Sequence, residues 1–335
     1  MSNFKPLPIG VEDFKEIIEK DYYYVDKTLF IKELIIQKGK INLYTRPRRF
    51  GKTLNLSMLQ YYFEKTEEDN SYLFKDLDIG KSGEEYAEYM AQYPVINISL
   101  KSMKKPSYEF AFAEFKRIMS KEFDRHLDVV GSDKLSQLEK EEFENIHNKK
   151  AEEVTYFSSI SFLSDCLYKA YNKKVIILID EYDVPLENAY FEGFYKPMVD
   201  LIRSAFESAL KTNNSLEFAV ITGCLRISKE SIFTGLNNLN IYPITESLFS
   251  DNFGFTELEV LDMIKYYKIE NKFSEIKEWY NGYMFGKTEI YNPWSVIKYV
   301  QAVSYDNTSF PKPYWSNTSS NSIIKDLISK GDSDT

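Results

Sequence analysis

Two short polar segments of this sequence carry residue types that could bind phosphate and a metal ion. The first is 46–53 (RPRRFGKT), which holds three of the seven arginines of the chain and ends in Gly51-Lys52-Thr53. A phosphate site needs main-chain N–H groups at a helix start, a lysine that reaches the outer phosphates and a hydroxyl for Mg²⁺. The triplet supplies the last part of that pattern. The full pattern G-x-x-x-x-G-K-[ST] fails at its first position, because Arg46 stands where glycine is required.

Taken alone, the triplet leaves open the simpler interpretation of a solvated lysine at a helix start. The tight cluster of three arginines, accompanied by Pro47 and Gly51, nevertheless favours an anionic ligand. The candidate nucleotide-binding residues of this loop are Arg46, Arg48, Arg49, Phe50, Gly51, Lys52, Thr53 and Leu54.

The second segment is an apolar run at 175–179 that ends in Asp180 and Glu181. An aspartate at the carboxyl end of a buried strand can hold Mg²⁺ opposite the hydroxyl of Thr53, and the next glutamate can take a proton from attacking water. The alternative is that these carboxylates only solubilise the end of a core strand. The Gly-Lys-Thr loop upstream favours the chemical interpretation. Adjacent Asp and Glu also favour ATP hydrolysis over GTP hydrolysis.

A third segment, 218–223, places Thr222 at the end of another apolar run, with Arg226 just beyond it. Enzymes that hydrolyse nucleoside triphosphates place a group at the end of this neighbouring strand that senses the outermost phosphate or orients water. Thr222 and Arg226 are therefore candidate catalytic residues beside Glu181. The alternatives are an ordinary strand residue and a surface ion pair. Arg203 is a further candidate for stabilising charge in the transition state, but no specific feature of the sequence supports that role.

Three other residue types near these segments have an ordinary structural explanation. Cys224 could be reactive, but a small buried residue is the simpler interpretation. Trp279, Tyr280 and Trp294 could stack on a base, or they could form the core of a small helical domain.

The elements that must position these residues follow from the apolar pattern. Short apolar runs at 41–44, 94–98, 175–179 and 218–221, with a weaker fifth at 241–244, predict parallel strands covered by helices on both faces. A helical pattern over 54–63 follows the first strand, and a Lys/Glu-rich helical insertion over about 101–170 is broken near 131–133. Thr256 with Glu259 predicts a capped helix start, 279–283 a turn, and 292–295 the entry to another helix.

Composition narrows the class of protein. The net charge of −9 argues against a dedicated duplex-DNA binder, which usually shows a basic excess. No apolar run approaches the length of a membrane span, and the N-terminus lacks a signal-peptide pattern. Two cysteines and two histidines at no ligand spacing predict neither a disulfide framework nor a side-chain metal cage. We expect a cytoplasmic protein.

Seven segments, in order, resemble the AAA-ATPase-like family of bacterial P-loop proteins. They are 24–28 (YVDKT), 46–53 (RPRRFGKT), 178–186 (LIDEYDVPL), 231–238 (SIFTGLNN), 279–283 (WYNGY), 290–295 (IYNPWS) and 315–318 (WSNT). The resemblance implies an α/β P-loop NTPase core in three layers with a mostly parallel sheet, a Mg²⁺-ATP site and a small, mostly helical C-terminal lid. It also implies that Arg46 replaces the usual glycine as a family trait. One departure is 224–226, where we expect a small residue and a lysine; Arg226 keeps the positive charge.

The expected domain boundaries follow from a change in the character of the sequence after about residue 247, which fits the core and lid that the resemblance implies. We expect 1–246 to form the P-loop core, with the helical insertion at about 101–170, and 247–335 to form the lid. Family members often continue into a C-terminal domain of the PD-(D/E)XK nuclease type. The chain ends at Thr335, about where that domain would begin, and carries no nuclease carboxylate–lysine set, so nuclease activity is not expected here.

Three functions fit these observations. The first is Mg²⁺-dependent ATP binding with ATP hydrolysis that moves the lid. The second is a nucleotide-gated binding or signalling module with little turnover, acting on a protein partner or on a missing C-terminal domain. The third is the ATPase half of a nucleic-acid-processing protein, which the residues of this chain do not support. The sequence assigns no oligomeric state.

Overall fold

The computed structural model describes residues 4–225, 232–233, 236 and 238–315. Its centre is a five-stranded sheet in which every neighbouring pair is parallel. The strands are β1 (Ile41–Thr45), β2 (Val95–Ser99), β3 (Val175–Asp180), β4 (Leu216–Gly223) and β5 (Leu239–Tyr242). Their order across the sheet is β2-β3-β4-β1-β5. All five predicted strands are confirmed, although β5 begins and ends two residues early, because Pro243 has no N–H to continue the ladder.

Helices cover both faces of this sheet. They are α1 (Phe14–Glu19), α2 (Leu29–Gln37), α3 (Lys52–Phe63), α4 (Glu84–Ala87), α5 (Tyr108–Asp124), α6 (Gln137–His147), α7 (Glu153–Tyr156), α8 (Ser159–Tyr171), α9 (Val184–Glu192) and α10 (Tyr195–Phe206). Side chains of a strand point alternately to opposite faces. In β3, Ile177 and Ile179 accordingly join one hydrophobic core, while Ile176 and Leu178 join another. The chain therefore has the predicted three-layer α/β architecture.

The stretch between β2 and β3 is helical, as predicted. Its apolar side chains, such as Phe115, Phe143 and Leu163, are buried in the core on one face of the sheet. The predicted break near 131–133 is confirmed, because a 3₁₀ turn at Leu127–Gly131 ends the first helical part and α6 starts only at Gln137.

The C-terminal part contains α11 (Glu257–Tyr266), α12 (Phe273–Tyr280), a hairpin of β6 (Asn281–Phe285) and β7 (Thr288–Tyr291), and α13 (Pro293–Tyr305). The capping box of Thr256 and Glu259 is present at the start of α11, and the Asn292 side chain caps α13, as the sequence predicted. The predicted turn at 279–283 is wrong: α12 runs into β6 there. The chain reverses instead at Gly286, whose φ of 55° lies in the left-handed region that glycine adopts without strain.

A third hydrophobic core belongs to these C-terminal helices. It contains Val260, Ile276 and Val300, and the partly buried Tyr23 and Val25 of the N-terminal segment pack against it. The start of the chain and its C-terminal part are therefore joined by apolar contacts. Among the described residues, none of the helices has both the length and the apolar character that crossing a membrane requires.

Candidate functional site

The loop between β1 and α3 has the backbone of a phosphate cradle. Gly51 precedes α3 with φ 84°, and Arg49 also has a positive φ of 70°. These conformations turn the chain sharply from the strand into the helix. The N–H groups in the first turn of a helix have no partner within the helix, and the helix dipole favours an anion there.

Lys52 lies folded across this loop. Its Nζ donates to the carbonyl oxygens of Arg46 and Pro47, both at 3.0 Å, and contacts Cys224 Sγ at 3.4 Å. The side chain is only 5% exposed. The ammonium group is therefore held at the loop by neutral acceptors.

The ends of β3 and β4 and the start of α3 meet at Asp180, beside the loop. Thr53 Oγ1 donates to Asp180 Oδ2 at 2.7 Å, and Thr222 Oγ1 donates to Asp180 Oδ1 at 2.5 Å. The two hydroxyls reach different oxygens of the carboxylate, and Thr222 can do so because β4 is the direct neighbour of β3 in the sheet. The carboxylate is 2% exposed. The structure thus brings together the two predicted metal ligands, Thr53 and Asp180, with Thr222 as a second support of the carboxylate.

Glu181 follows β3 with a positive φ of 53° and lines a cavity beside the loop. Burial and the neighbouring charge of Asp180 raise the pKa of Glu181, while the cations of Lys52 and Lys101 oppose that rise. A raised pKa makes a carboxylate a stronger base near neutral pH.

Asp183 is a contributor that the sequence analysis used only as part of a motif. Its Oδ2 accepts the N–H groups of Cys224 and Leu225, both at 2.8 Å, and Tyr182 Oη donates to the Leu225 carbonyl at 2.7 Å. Burial raises the pKa of Asp183. These bonds fasten the end of β4 to the segment after β3 and hold the Cys224 thiol against Lys52. The position of Asp183 in the acidic cluster at 180–183 was the feature of the sequence that could have indicated this role.

The cavity at this site has a volume of about 440 Å³. Its phosphate-loop end is lined by Arg48, Arg49, Phe50, Gly51, Lys52, Thr53, Leu54, Lys101, Lys104 and Glu181. Its other walls come from the N-terminal segment and from the C-terminal part, including Val11, Tyr23, Val25, Met263, Pro293, Trp294 and Ile297. The sequence analysis did not assign the N-terminal segment to the site, since the first 25 residues carry no phosphate or metal pattern.

Arg46 does not line this cavity, in contrast to its assignment as a nucleotide-binding residue. The side chain is fully buried, and its guanidinium donates to the carbonyls of Thr45 at 3.0 Å, Tyr242 at 2.6 Å and Phe249 at 3.0 Å. It also lies 5.1 Å above the ring of Phe253. Burial lowers the pKa of Arg46 to about 10. Arg46 is directed away from the cavity because the carbonyl groups at the ends of β1 and β5 and at Phe249 offer it a set of acceptors.

The other loop residues have distinct environments. Arg48 pairs with Glu187 at 2.8 Å, and the exposed Arg49 lies 3.9 Å from the ring centre of Trp294. Phe50 is buried, with its ring 4.8 Å from that of Tyr283, and thus anchors the loop to the C-terminal hairpin.

The remaining candidates divide into residues that the structure does not describe and residues that it places. Arg226 is outside the described residues, as are residues 231, 234, 235 and 237 of the segment 231–238 and residues 316–318. Arg203 lies on α10 beside Asp200. Tyr280 is buried in the C-terminal core and Trp279 is half exposed, so of the three aromatic candidates Trp294 alone reaches the cavity.

The donors beside the loop fit a hard divalent cation. Thr53 offers a hydroxyl and Asp180 two carboxylate oxygens, which are the oxygen ligands that Mg²⁺ prefers. Within the described ranges no group of three His, Cys, Asp or Glu residues could form a metal cage. A metal ion at this place would take its remaining ligands from phosphate and water.

Comparison with known proteins identifies the family of this chain. A family model described as predicted AAA-ATPase matches residues 8–233, a range that contains the phosphate loop, Asp180 and Thr222. A protein of Azotobacter chroococcum mcd 1, described as an uncharacterized protein in the vnfD 5' region, is 28% identical over 331 residues. That match covers 97% of this chain and 56% of the relative, so the chain spans little more than half of the relative's length. The chain belongs to the family of predicted AAA-ATPases, and this membership indicates nucleotide binding.

Proposed function

We propose that this protein binds Mg²⁺-ATP at the phosphate loop and hydrolyses it. The observation that carries the proposal is the joint contact of Thr53 and Thr222 with Asp180, next to Lys52 and the cavity. A hydroxyl at a helix start, a buried carboxylate at a strand end and a lysine at the loop are the three parts that a Mg²⁺-triphosphate site needs.

Lys52 supplies the main cation for the phosphates. Its two carbonyl acceptors are neutral, whereas phosphate oxygens carry negative charge, so a phosphate adds Coulomb attraction to the hydrogen bond from the ammonium group. ATP therefore competes well for the ammonium group. The N–H groups at the start of α3 and the cations of Arg48 and Arg49 at the cavity would share the remaining charge.

Thr53 Oγ1 and Asp180 Oδ2 would hold Mg²⁺ between them once their mutual hydrogen bond opens. The bound ion would neutralise charge on the outer phosphate oxygens. Thr222 then acts through Asp180, because its hydroxyl keeps Oδ1 fixed and leaves Oδ2 for the metal side.

Glu181 is the base in this proposal. It lines the cavity, follows the metal-binding aspartate directly and has a raised pKa. A carboxylate that remains a proton acceptor near neutral pH can take the proton of the attacking water as the outermost phosphate leaves.

We further propose that ATP occupancy changes the fit between the core and the C-terminal part. The cavity is lined from both sides, and the Gly254 N–H donates to the Phe50 carbonyl of the phosphate loop at 3.2 Å. A ligand at the loop therefore touches residues connected to both parts. Amide hydrogen exchange in α11 that slows on addition of ATP supports this coupling, and unchanged exchange contradicts it.

The binding test compares two matched lysine substitutions by calorimetric titration with Mg²⁺-ATP. Lys52→Ala removes charged hydrogen bonds worth about 1.5–3 kcal/mol each, so the affinity should fall at least about tenfold. Lys65→Ala changes an exposed lysine just beyond α3 and should leave the affinity unchanged. Equal affinity of Lys52→Ala and wild type would refute the site.

The hydrolysis test uses Glu181→Gln, which should keep ATP binding and lower the single-turnover rate by about 10²- to 10⁴-fold. Glu192→Gln, the same change at an exposed position of α9, is the control and should turn over ATP at the wild-type rate. Equal, near-zero rates in wild type and Glu181→Gln would replace hydrolysis with a nucleotide-gated switch.

A further inference from the structure

The segment that follows α13 returns to the phosphate loop and contacts it from outside the cavity. The indole Nε1 of Trp315 donates to the Arg48 carbonyl at 3.2 Å. Arg48 lines the cavity, whereas no residue of 306–315 is among the described residues that line it. The Arg48 carbonyl is therefore directed to the side of the loop that faces away from the cavity.

This segment is itself fixed on the core of the C-terminal helices. Tyr280 Oη accepts the Lys312 N–H at 3.0 Å and donates to the Lys312 carbonyl at 3.1 Å. Tyr314 packs against the same core, with its ring centre 6.2 Å from that of Tyr280. Trp315 thus reaches the phosphate loop from a segment that is held in place one to three residues earlier.

The backbone of the phosphate loop needs such support at Arg49. Arg49 and Gly51 have positive φ values of 70° and 84°, whereas Phe50 between them does not. A backbone that alternates in this way directs successive N–H groups toward one anion. Positive φ costs little at glycine but is unfavourable at arginine, so neighbouring contacts must hold Arg49 in this conformation.

The hydrogen bond from Trp315 fixes the peptide plane that precedes Arg49. The C=O and N–H groups of a trans peptide point in opposite directions, and the described ranges contain no cis peptide bond. Because the Arg48 carbonyl is held on the outer side, the Arg49 N–H is directed toward the cavity. Among the described residues this N–H has no main-chain acceptor, so it can donate to a phosphate oxygen.

Other bonds of the loop differ in what a phosphate would do to them. Lys52 donates to two loop carbonyls and would leave them for the phosphates. The bond from Trp315 to Arg48 and the bond of 3.2 Å from the Gly254 N–H to the Phe50 carbonyl involve no such cation. These two bonds from the C-terminal part therefore keep the shape of the loop when Lys52 turns to the ligand.

From these contacts we propose that Trp315 is a positioning residue for phosphate binding. Its indole N–H holds the Arg48 carbonyl outward and thereby directs the Arg49 N–H at the phosphates. The proposal rests on the proposed nucleotide binding and gives the segment 306–315 a role in it. Linkage requires that a bound phosphate strengthens the Trp315 bond by the same factor by which this bond strengthens phosphate binding.

The first test is calorimetric titration with Mg²⁺-ATP and with Mg²⁺-tripolyphosphate. Trp315→Phe keeps an aromatic ring and removes the N–H, so both affinities should fall about twofold to tenfold, the effect of one lost hydrogen bond. Trp279→Phe, the same change at a half-exposed indole of α12, is the control and should leave both affinities unchanged. A loss of ATP affinity alone would place the effect outside the phosphate loop and overturn the proposal.

The second test observes the bond itself. The chain has three tryptophans, so ¹⁵N labelling of tryptophan gives three indole N–H signals, which single substitutions by phenylalanine assign. The Trp315 signal should exchange with solvent more slowly than that of Trp279, and saturating tripolyphosphate should slow it about twofold to tenfold further. Exchange at Trp315 that does not respond to bound tripolyphosphate contradicts the proposal, even where Trp315→Phe fails to fold.

A failure of the proposed function gives a different result. If wild type binds neither ATP nor tripolyphosphate, the phosphate site is refuted, and the role of Trp315 with it. If wild type binds both ligands and Trp315→Phe binds them equally tightly, the phosphate site stands and only positioning by Trp315 is overturned.

Discussion

The buried guanidinium of Arg46 makes a clear prediction about stability. In Arg46→Met the apolar stem remains, while three hydrogen bonds to the carbonyls of Thr45, Tyr242 and Phe249 are lost. Hydrogen bonds from a charged donor are worth about 1.5–3 kcal/mol each. Burial of the charge opposes them: the pKa of Arg46 falls from 12.5 to about 10, and each pKa unit corresponds to about 1.4 kcal/mol. The three bonds together contribute about 4.5–9 kcal/mol and the burial of the charge costs about 3.4 kcal/mol, so the net loss of unfolding free energy is about 1–6 kcal/mol.

This loss should appear in thermal unfolding. For a chain of 335 residues the unfolding entropy is roughly 0.7 kcal/mol/K, so the variant should melt about 2–8 °C below wild type. Well below that temperature, its affinity for Mg²⁺-ATP should change far less than that of Lys52→Ala, because the side chain is directed away from the cavity.

Arg49→Met is the matched control for this prediction. Arg49 is exposed and makes a cation–π contact with Trp294, worth about 0.5–1 kcal/mol at such sites, so melting should shift by about 1 °C. ATP affinity should fall instead. The opposite pattern, with Arg46→Met melting normally but failing to bind ATP, would return Arg46 to the phosphate site and refute the reasoning.

Two further predictions concern pH. Because the pKa of Glu181 is raised, the rate of ATP hydrolysis should fall with decreasing pH, with a midpoint above pH 4.5. The residual rate of Glu181→Gln should lack this fall. A midpoint at or below pH 4.5 in wild type would exclude Glu181 as the base. Burial raises the pKa of Glu33 to about 7, so the folded state binds its proton more tightly than the unfolded state and loses stability as the pH rises from about 4.5 to about 7. Glu33→Gln should therefore raise the melting temperature at about pH 8 but not at about pH 4, and equal shifts at both would contradict this origin.

Local sequence patterns determined much of the fold and half of the site. Apolar runs predict the five strands because a strand buried on both faces must be apolar throughout, and Thr256 with Glu259 predicts a helix start through bonds that span only three residues. Gly51-Lys52-Thr53 after β1 and Asp180-Glu181 at the end of β3 could likewise be linked, since parallel strands end at one edge of the sheet.

What lay beyond the sequence depends on neighbours that are distant in the chain. The direction of Arg46 is decided by carbonyl groups nearly two hundred positions away, so its place beside two other arginines predicted the wrong partner. The surroundings of Trp294 likewise depend on a residue distant in the chain, because the guanidinium of Arg49 lies 3.9 Å from its ring centre. The cavity beyond the phosphate loop has walls from both ends of the chain, and only their packing against each other brings Val25 and Ile297 to one ligand-sized space. Secondary structure follows from short-range periodicity, but a side chain's direction follows from the acceptors and surfaces that the tertiary fold places around it.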